Sequence, residues 1–327
     1  MTALTLGFMP LTDCAPLVVA QAKGFFDKEG LAVSLQREAS WATLRDKLAV
    51  GVVDGAHLLA PLALAMSLGV GSDRTPVIAP FALNVGGAAM TLSTRLAAAV
   101  RDGGARGLAT LIARRRAQQS SPLTFATVFP YSIHNYLLRD WLAQARIKPD
   151  EDVRLTVVPP ARSAELLADG VIEGFCAGQP WSEVAVRSGA GRIVMRASEF
   201  APEAPDKVFA TTTAWAQAHP NQLQALLRAL LQACAWIDAP ANAGELAALL
   251  ARPEYVGVDA EIIAVGLGDI RFYRDGANRP EPAHARWLLE QMTRWEQVES
   301  TAETVALAAG VYRPDLFDEA QAAVRSR

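Results

Sequence analysis

Gly51-Val-Val-Asp-Gly-Ala-His-Leu-Leu-Ala-Pro61 and Gly170-Val-Ile-Glu-Gly-Phe-Cys-Ala-Gly-Gln-Pro180 share one eleven-residue frame, set roughly 120 positions apart. Each follows a helix-like segment and runs through Gly-Val-(Val/Ile)-acid-Gly into a short apolar strand. Upstream, Leu6-Gly-Phe-Met-Pro10 lines up with Phe125-Ala-Thr-Val-Phe-Pro130, an apolar strand that ends at a proline and gives way to a helix in both copies. A repeat of this period is too long for a solenoid and suits two α/β lobes of one design. Two similar lobes facing each other form a cleft, where small ligands bind.

Around the two copies the chain alternates strand and helix. Strands are predicted over residues 4–9, 31–36, 53–59, 77–82 and 155–158. Asp13 reads as the N-cap of a helix over 15–24, and Ser40 as the cap of a helix over 41–50 stopped by Gly51. The glycines of Asn84-Val-Gly-Gly-Ala-Ala-Met-Thr-Leu-Ser93 suit a crossing between lobes, with a return through Lys207-Val-Phe-Ala-Thr-Thr-Thr213. Residues 220–327 are mostly helical and are expected to pack around the first lobe. The expected division is 1–88 with 206–327 as one lobe and 89–205 as the other, with hinges near 84–93 and 200–209.

At 327 residues the chain has room for two full cores, and 51% hydrophobic with 20% charged residues is ordinary for an α/β protein. A net charge of −3 offers no electrostatic case for direct nucleic-acid binding, and the one basic run, Ile112-Ala-Arg-Arg-Arg-Ala117, reads as a solvated helix end. Three cysteines at unrelated spacings (Cys14, Cys176, Cys234) fit neither a disulfide framework nor a metal site, and Cys234 reads as core. The apolar stretches 55–72 and 75–94 are broken by proline and glycine, so no membrane insertion is expected. Met1 leads directly into the first strand without a secretory leader pattern, which points to a cytoplasmic protein, or to a periplasmic one whose leader has been removed.

His134 stands in the first turn of a helix that follows a strand, where backbone N–H groups favour a negative ligand. Trp41 opens a helix in the other lobe, as a staple onto the core or as a cleft wall. Lys207 lies where the chain re-enters the first lobe, and no acidic metal-holding cluster is expected around it. His219 and His284 read as surface residues and His57 as a satisfied buried histidine. An aromatic wall, a donor ring, a fixed positive charge and helix N-termini suit a small planar monovalent anion. An enzyme reading would have to rest on a Cys176–His134 thiol–imidazole pair. No nucleotide, hydrolase or metal motif accompanies it, and an apolar strand favours an inert thiol.

The segments Gly7-Phe-Met-Pro-Leu-Thr-Asp-Cys-Ala-Pro-Leu17, Lys23-Gly-Phe-Phe-Asp-Lys-Glu-Gly-Leu31, Glu38-Ala-Ser-Trp-Ala-Thr-Leu-Arg-Asp-Lys-Leu48, Asp54-Gly-Ala-His-Leu-Leu-Ala-Pro61 and Phe175-Cys-Ala-Gly-Gln-Pro-Trp181 resemble the nitrate/bicarbonate-binding proteins of ABC transporters. The resemblance covers nearly the whole chain and implies the two-lobed type II periplasmic-binding fold with two hinge strands. Within it, the chain is most similar to cytoplasmic nitrate/nitrite sensors that hold an RNA-binding antiterminator inactive until the anion arrives. The resemblance implies no cofactor and no catalysis. Its anion contacts fall on Trp41, His134 and Lys207, with wall and backbone contacts near Leu11, Pro160, Ala177 and Gly178. Ala88 stands where the family has a glutamine. Bicarbonate binders of the family hold calcium with a carboxylate at the Lys207 position, so Lys207 implies a lone anion paired directly with the lysine.

Overall fold

The computed structural model describes residues 2–100, 104–201, 203 and 205–326. Eleven strands form two mixed sheets among these residues. The first contains β1 (Thr2–Phe8), β2 (Leu31–Arg37), β3 (Gly55–Leu59), β4 (Val77–Gly86), β10 (Pro205–Thr212) and β11 (Ile270–Arg271), in the order β11-β4-β10-β3-β1-β2. The second contains β5 (Ala88–Ser93), β6 (Thr124–Thr127), β7 (Arg154–Val157), β8 (Gly174–Gly178) and β9 (Gly191–Arg196), in the order β7-β6-β8-β5-β9.

The two sheets carry the same motif. β1 pairs in parallel with β2 and β3, as β6 does with β7 and β8. A strand arriving from the other half then joins antiparallel to the frame strand: β10 on β3, and β5 on β8. In register, Lys207 lies opposite Leu59 and Ala88 lies opposite Gly178, both partners being the ninth residue of their frame. Lys207 and Ala88 are therefore topological equivalents.

The geometry explains the frame residue by residue. Its first glycine adopts a left-handed backbone at a helix end, with φ 75° at Gly51 and 70° at Gly170. Its acid turns back to the first strand of its own sheet. Asp54 Oδ2 accepts from the Thr5 amide at 2.8 Å, and Glu173 Oε2 accepts from the Thr124 amide at 2.6 Å. Its second glycine lies under the incoming strand: a Cβ on Gly55 would sit 2.7 Å from the Phe209 ring, and one on Gly174 2.8 Å from Leu92 Cδ2. Both frame strands are buried along their whole length, which accounts for their apolar character, His57 apart.

The chain leaves the first sheet at Gly86-Gly87, both with positive φ. β4 extends four residues beyond the predicted 82 to Gly86, and Ala88 already belongs to the second sheet. It re-enters by β10, whose first residue, Pro205, pairs with Val85; residues 202 and 204 of the second expected hinge lie outside the described residues. The helix Pro220–Ile237 packs between Ala15–Ala22 and Pro314–Arg325, and Pro282–Arg294 and Ala302–Val311 cover Ala60–Leu68. This C-terminal layer also reaches the second sheet's helix Ile133–Gln144: Tyr136 Oη donates to Gln297 Oε1 at 2.8 Å, and Arg294 pairs with Asp140 at 2.6 Å. No described helix is long and apolar enough to cross a membrane.

Candidate functional site

The C-terminal ends of β1, β3 and β8 and the start of β10 meet where the halves close on each other. Thr12 donates its amide and hydroxyl to Gln179 O at 2.9 and 3.1 Å, and Trp181 Nε1 donates to Pro10 O at 3.1 Å. At this seam lies a buried charge cluster centred on Lys207, whose Nζ is 2.9 Å from Asp13 Oδ2 and 2.6 Å from Asp206 Oδ2. The register between β10 and β4 slips on both sides of Lys207, breaking the usual strand alternation, so the adjacent Asp206 and Lys207 side chains meet. Lys207 is fully buried. Burial alone would favour its neutral form, but the two carboxylates outweigh burial and hold its pKa above the ordinary lysine value.

Asp13 is the hinge of the cluster. Burial would raise its pKa, but Lys207 and His57 together hold it well below the carboxylate range. Its other oxygen lies 2.9 Å from His57 Nε2. The Met9 amide donates to His57 Nδ1 at 3.4 Å, which leaves the ring proton on Nε2 to face Asp13. The Trp41 ring lies against this assembly, its centroid 5.6 Å from the His57 ring at a tilt of 54° and 5.7 Å from Lys207 Nζ, within cation–π range. From the second half comes His134, the second residue of a helix capped by Ser132, with Nε2 3.6 Å from Asp206 Oδ2. Its pKa is pushed down to about 4, chiefly by burial, with Asp206 opposing and Lys207 adding to the effect. Both ring nitrogens of His134 and the Trp41 Nε1 are buried without a hydrogen-bond partner among the described residues.

Gly178 seals the seam. A methyl on it would lie 3.2 Å from Leu11 Cδ2, 3.4 Å from Asp13 Oδ2 and 3.5 Å from His134 Nε2. Ala88 and Ala177 are buried on the paired strands β5 and β8, and Pro160 is buried in the turn Pro160–Arg162 at the end of β7. The structure thus brings Trp41, His134, Lys207, Leu11 and Gly178 together, with Ala88 beside Gly178 in register. Pro160 is placed one strand further out, β6 standing between β7 and β8.

Three expectations are corrected. Asp13 is not an N-cap: it sits in the turn Thr12–Cys14, the cap residue of Ala15–Ala22 is Cys14, and the carboxylate is drawn into the core by Lys207 and His57. Lys207 is not the surface lysine that its isolated position suggests: it is buried and paired with Asp13 and Asp206. His284 is half-buried, its ring nitrogen accepting from the Glu281 amide at the start of Pro282–Arg294. His57 is buried as expected, its Nδ1 bonded to the Met9 amide, but the approach of its Nε2 to Asp13 makes it part of the cluster. Asp206 escaped notice altogether; its only sequence signal was its place beside Lys207. Cys176 is buried on β8, and burial drives its thiol pKa upward, as an inert thiol requires.

The NMT1-like family profile matches residues 1–251, and the chain belongs to that family. The nitrate import ATP-binding protein NrtC of Synechocystis sp. is 36% identical over 335 residues, covering 97% of this chain and 49% of that protein. The bicarbonate transport ATP-binding protein CmpC of the same organism is also 36% identical, over 333 residues, with 97% and 49% covered. The chain therefore spans about half the length of these curated relatives. The crystal structure of the periplasmic nitrate-binding protein NrtA from Synechocystis PCC 6803 superposes with a TM-score of 0.94 at 29% identity, covering 100% of this chain and 90% of that one. The fold is accordingly the two-lobed one of that nitrate-binding protein, and these relatives are named as binding and transport components.

Proposed function

We propose that the chain binds nitrate or nitrite, one ion per molecule, between a lobe of residues 1–88 and 206–327 and a lobe of residues 89–205. The observation that carries this is the buried Lys207 at the seam, with the Trp41 face on one side and His134 on the other. Unpartnered N–H donors in a dry site favour a compact acceptor such as a planar oxyanion. Leu11, Ala88, Ala177 and Gly178 form the wall, with Pro160 one strand further out. A lysine at this position, where the bicarbonate binders implied by the resemblance have a calcium-holding carboxylate, favours an anion bound without metal. Calorimetric titration with nitrate, nitrite and bicarbonate, the last with and without calcium, tests the assignment. One site for nitrate or nitrite with weak, calcium-indifferent bicarbonate is expected, and calcium-dependent bicarbonate binding would overturn it.

Two roles follow from such binding. The names of the relatives support a solute-binding component of an ABC transport system. The resemblance in the sequence to cytoplasmic sensors supports the other role: the anion closes the lobes and thereby releases an RNA-binding antiterminator. A ligand that contacts both lobes favours the closed state by its differential affinity, and a partner preferring the open state is released by the same factor. Size-exclusion chromatography with the candidate antiterminator separates the roles. A complex that dissolves in nitrate supports the sensor, and one that never forms supports the transport component.

A further inference from the structure

We infer that Asp13 sets the charge rule of this cleft: because its carboxylate shares Lys207 with Asp206, a monovalent anion enters together with one proton, which His134 holds. This rests on the anion-binding reading given above. One ammonium, Lys207, lies within ion-pair distance of two carboxylates, at 2.9 and 2.6 Å, and all three side chains are buried. His57 stands beside the triad, its Nδ1 accepting from the Met9 amide at 3.4 Å and its Nε2 2.9 Å from Asp13 Oδ1. With His134 neutral, the two carboxylates and the one ammonium sum to one negative charge, the wrong sign for an anion in a buried site where water does not screen it.

His134 is the group able to correct the balance. Its Nε2 lies 3.6 Å from Asp206, neither ring nitrogen has a hydrogen-bond partner among the described residues, and the ring sits against Gly178 at the seam. Protonated, it donates from both nitrogens, one toward Asp206 and one toward an incoming oxyanion. The charges acting on it are Asp206 from β10 and Asp13 from the turn after β1, which favour its protonated form, and Lys207 from β10, which opposes it; burial outweighs the carboxylates and leaves the ring neutral near pH 7 until an anion arrives. Of the strands packed on its helix, β5 and β6 carry no titratable side chain and β8 carries only Cys176, which burial keeps as a thiol. On the neighbouring helix Gly104–Ala117, Arg106, Arg114 and Arg116 are exposed and Arg115 bonds Ser121 O.

The test is titration of the unmodified protein with nitrate, the anion of a strong acid that brings no proton of its own, in two amine buffers of different ionisation enthalpy. About one proton taken up per nitrate at pH 7, with affinity rising about tenfold per unit as pH falls from 8 to 6, is expected from linkage. In Asp13→Asn, which makes the cluster neutral, uptake should fall toward zero and affinity at pH 8 should rise about tenfold or more. Nitrate binding with no proton uptake by the unmodified protein overturns the inference while leaving the anion site standing. Uptake that persists unchanged in a folded Asp13→Asn variant overturns the role of Asp13. Absence of nitrate binding at every pH from 5 to 8 overturns the anion site and this inference with it.

Discussion

The two copies of the eleven-residue frame are alike where they build backbone and unlike where they face the cleft. Gly51 and Gly170 end helices in the same left-handed conformation, Asp54 and Glu173 latch onto the same amide of their sheets, and Gly55 and Gly174 make room for the same incoming strand. At the seventh position, however, one copy has His57, its Nε2 2.9 Å from Asp13, and the other has the inert Cys176. Opposite the ninth position, one copy meets Lys207 and the other Ala88. The repeat supplies a symmetric clamp, and the differences between its halves make the clamp chemically one-sided. The first half holds the charge, and the second half supplies a seal, Gly178, and a titratable ring, His134.

Removing Lys207 should break this asymmetry most severely. Lys207→Ala leaves Asp13 and Asp206 buried without their cation, a change that typically costs about 3–5 kcal/mol. Chemical denaturation should report that loss, whereas a loss under about 1 kcal/mol would mean that the carboxylates escape to water.

The two halves should also respond to acid in different windows. His134 has a folded pKa of about 4 against an ordinary 6.5, so the unfolded chain takes up its proton first and stability falls as pH drops from about 6.5 to 4. That amounts to about 3 kcal/mol. Asp13 is held below its ordinary value, so its contribution is present above about pH 4 and is lost only as pH falls further toward its folded pKa. Denaturation midpoints across pH should therefore show two steps, and His134→Gln should remove the upper one. A curve for His134→Gln that parallels the parent between pH 7 and 4 would show that the ring is not buried neutral in solution.

The smallest effects should distinguish scaffold from site. In Gly55→Ala the new methyl runs into the Phe209 ring, and overpacking of this kind costs about 1–3 kcal/mol. In Gly178→Ala the contacts are 3.2–3.5 Å, so stability should change by less than about 1 kcal/mol while nitrate affinity falls severalfold, because the methyl intrudes between Asp13 and His134. Equal stability losses with unchanged affinity would place Gly178 in the scaffold instead.

Much of this was legible in the residues. The paired frames imposed two matching sheets, because a left-handed glycine, an acid and a close-approach glycine at fixed spacing permit few other local structures. Trp41, His134 and Lys207 stood out because helix starts and strand re-entries are places where side chains and amides converge. The charge balance of the cleft was not legible. Asp13 obeyed the spacing of a helix cap, and nothing local showed that a lysine nearly 200 residues later would draw it inward. Asp206 is turned toward Lys207 only by an irregular pairing of β10 with β4, and His57 became part of the cluster only when Asp13 arrived beside it. Local propensity acts over a few residues and so determined the scaffold. Electrostatic partnership between buried groups acts through space, and only the closing of the two halves decided it.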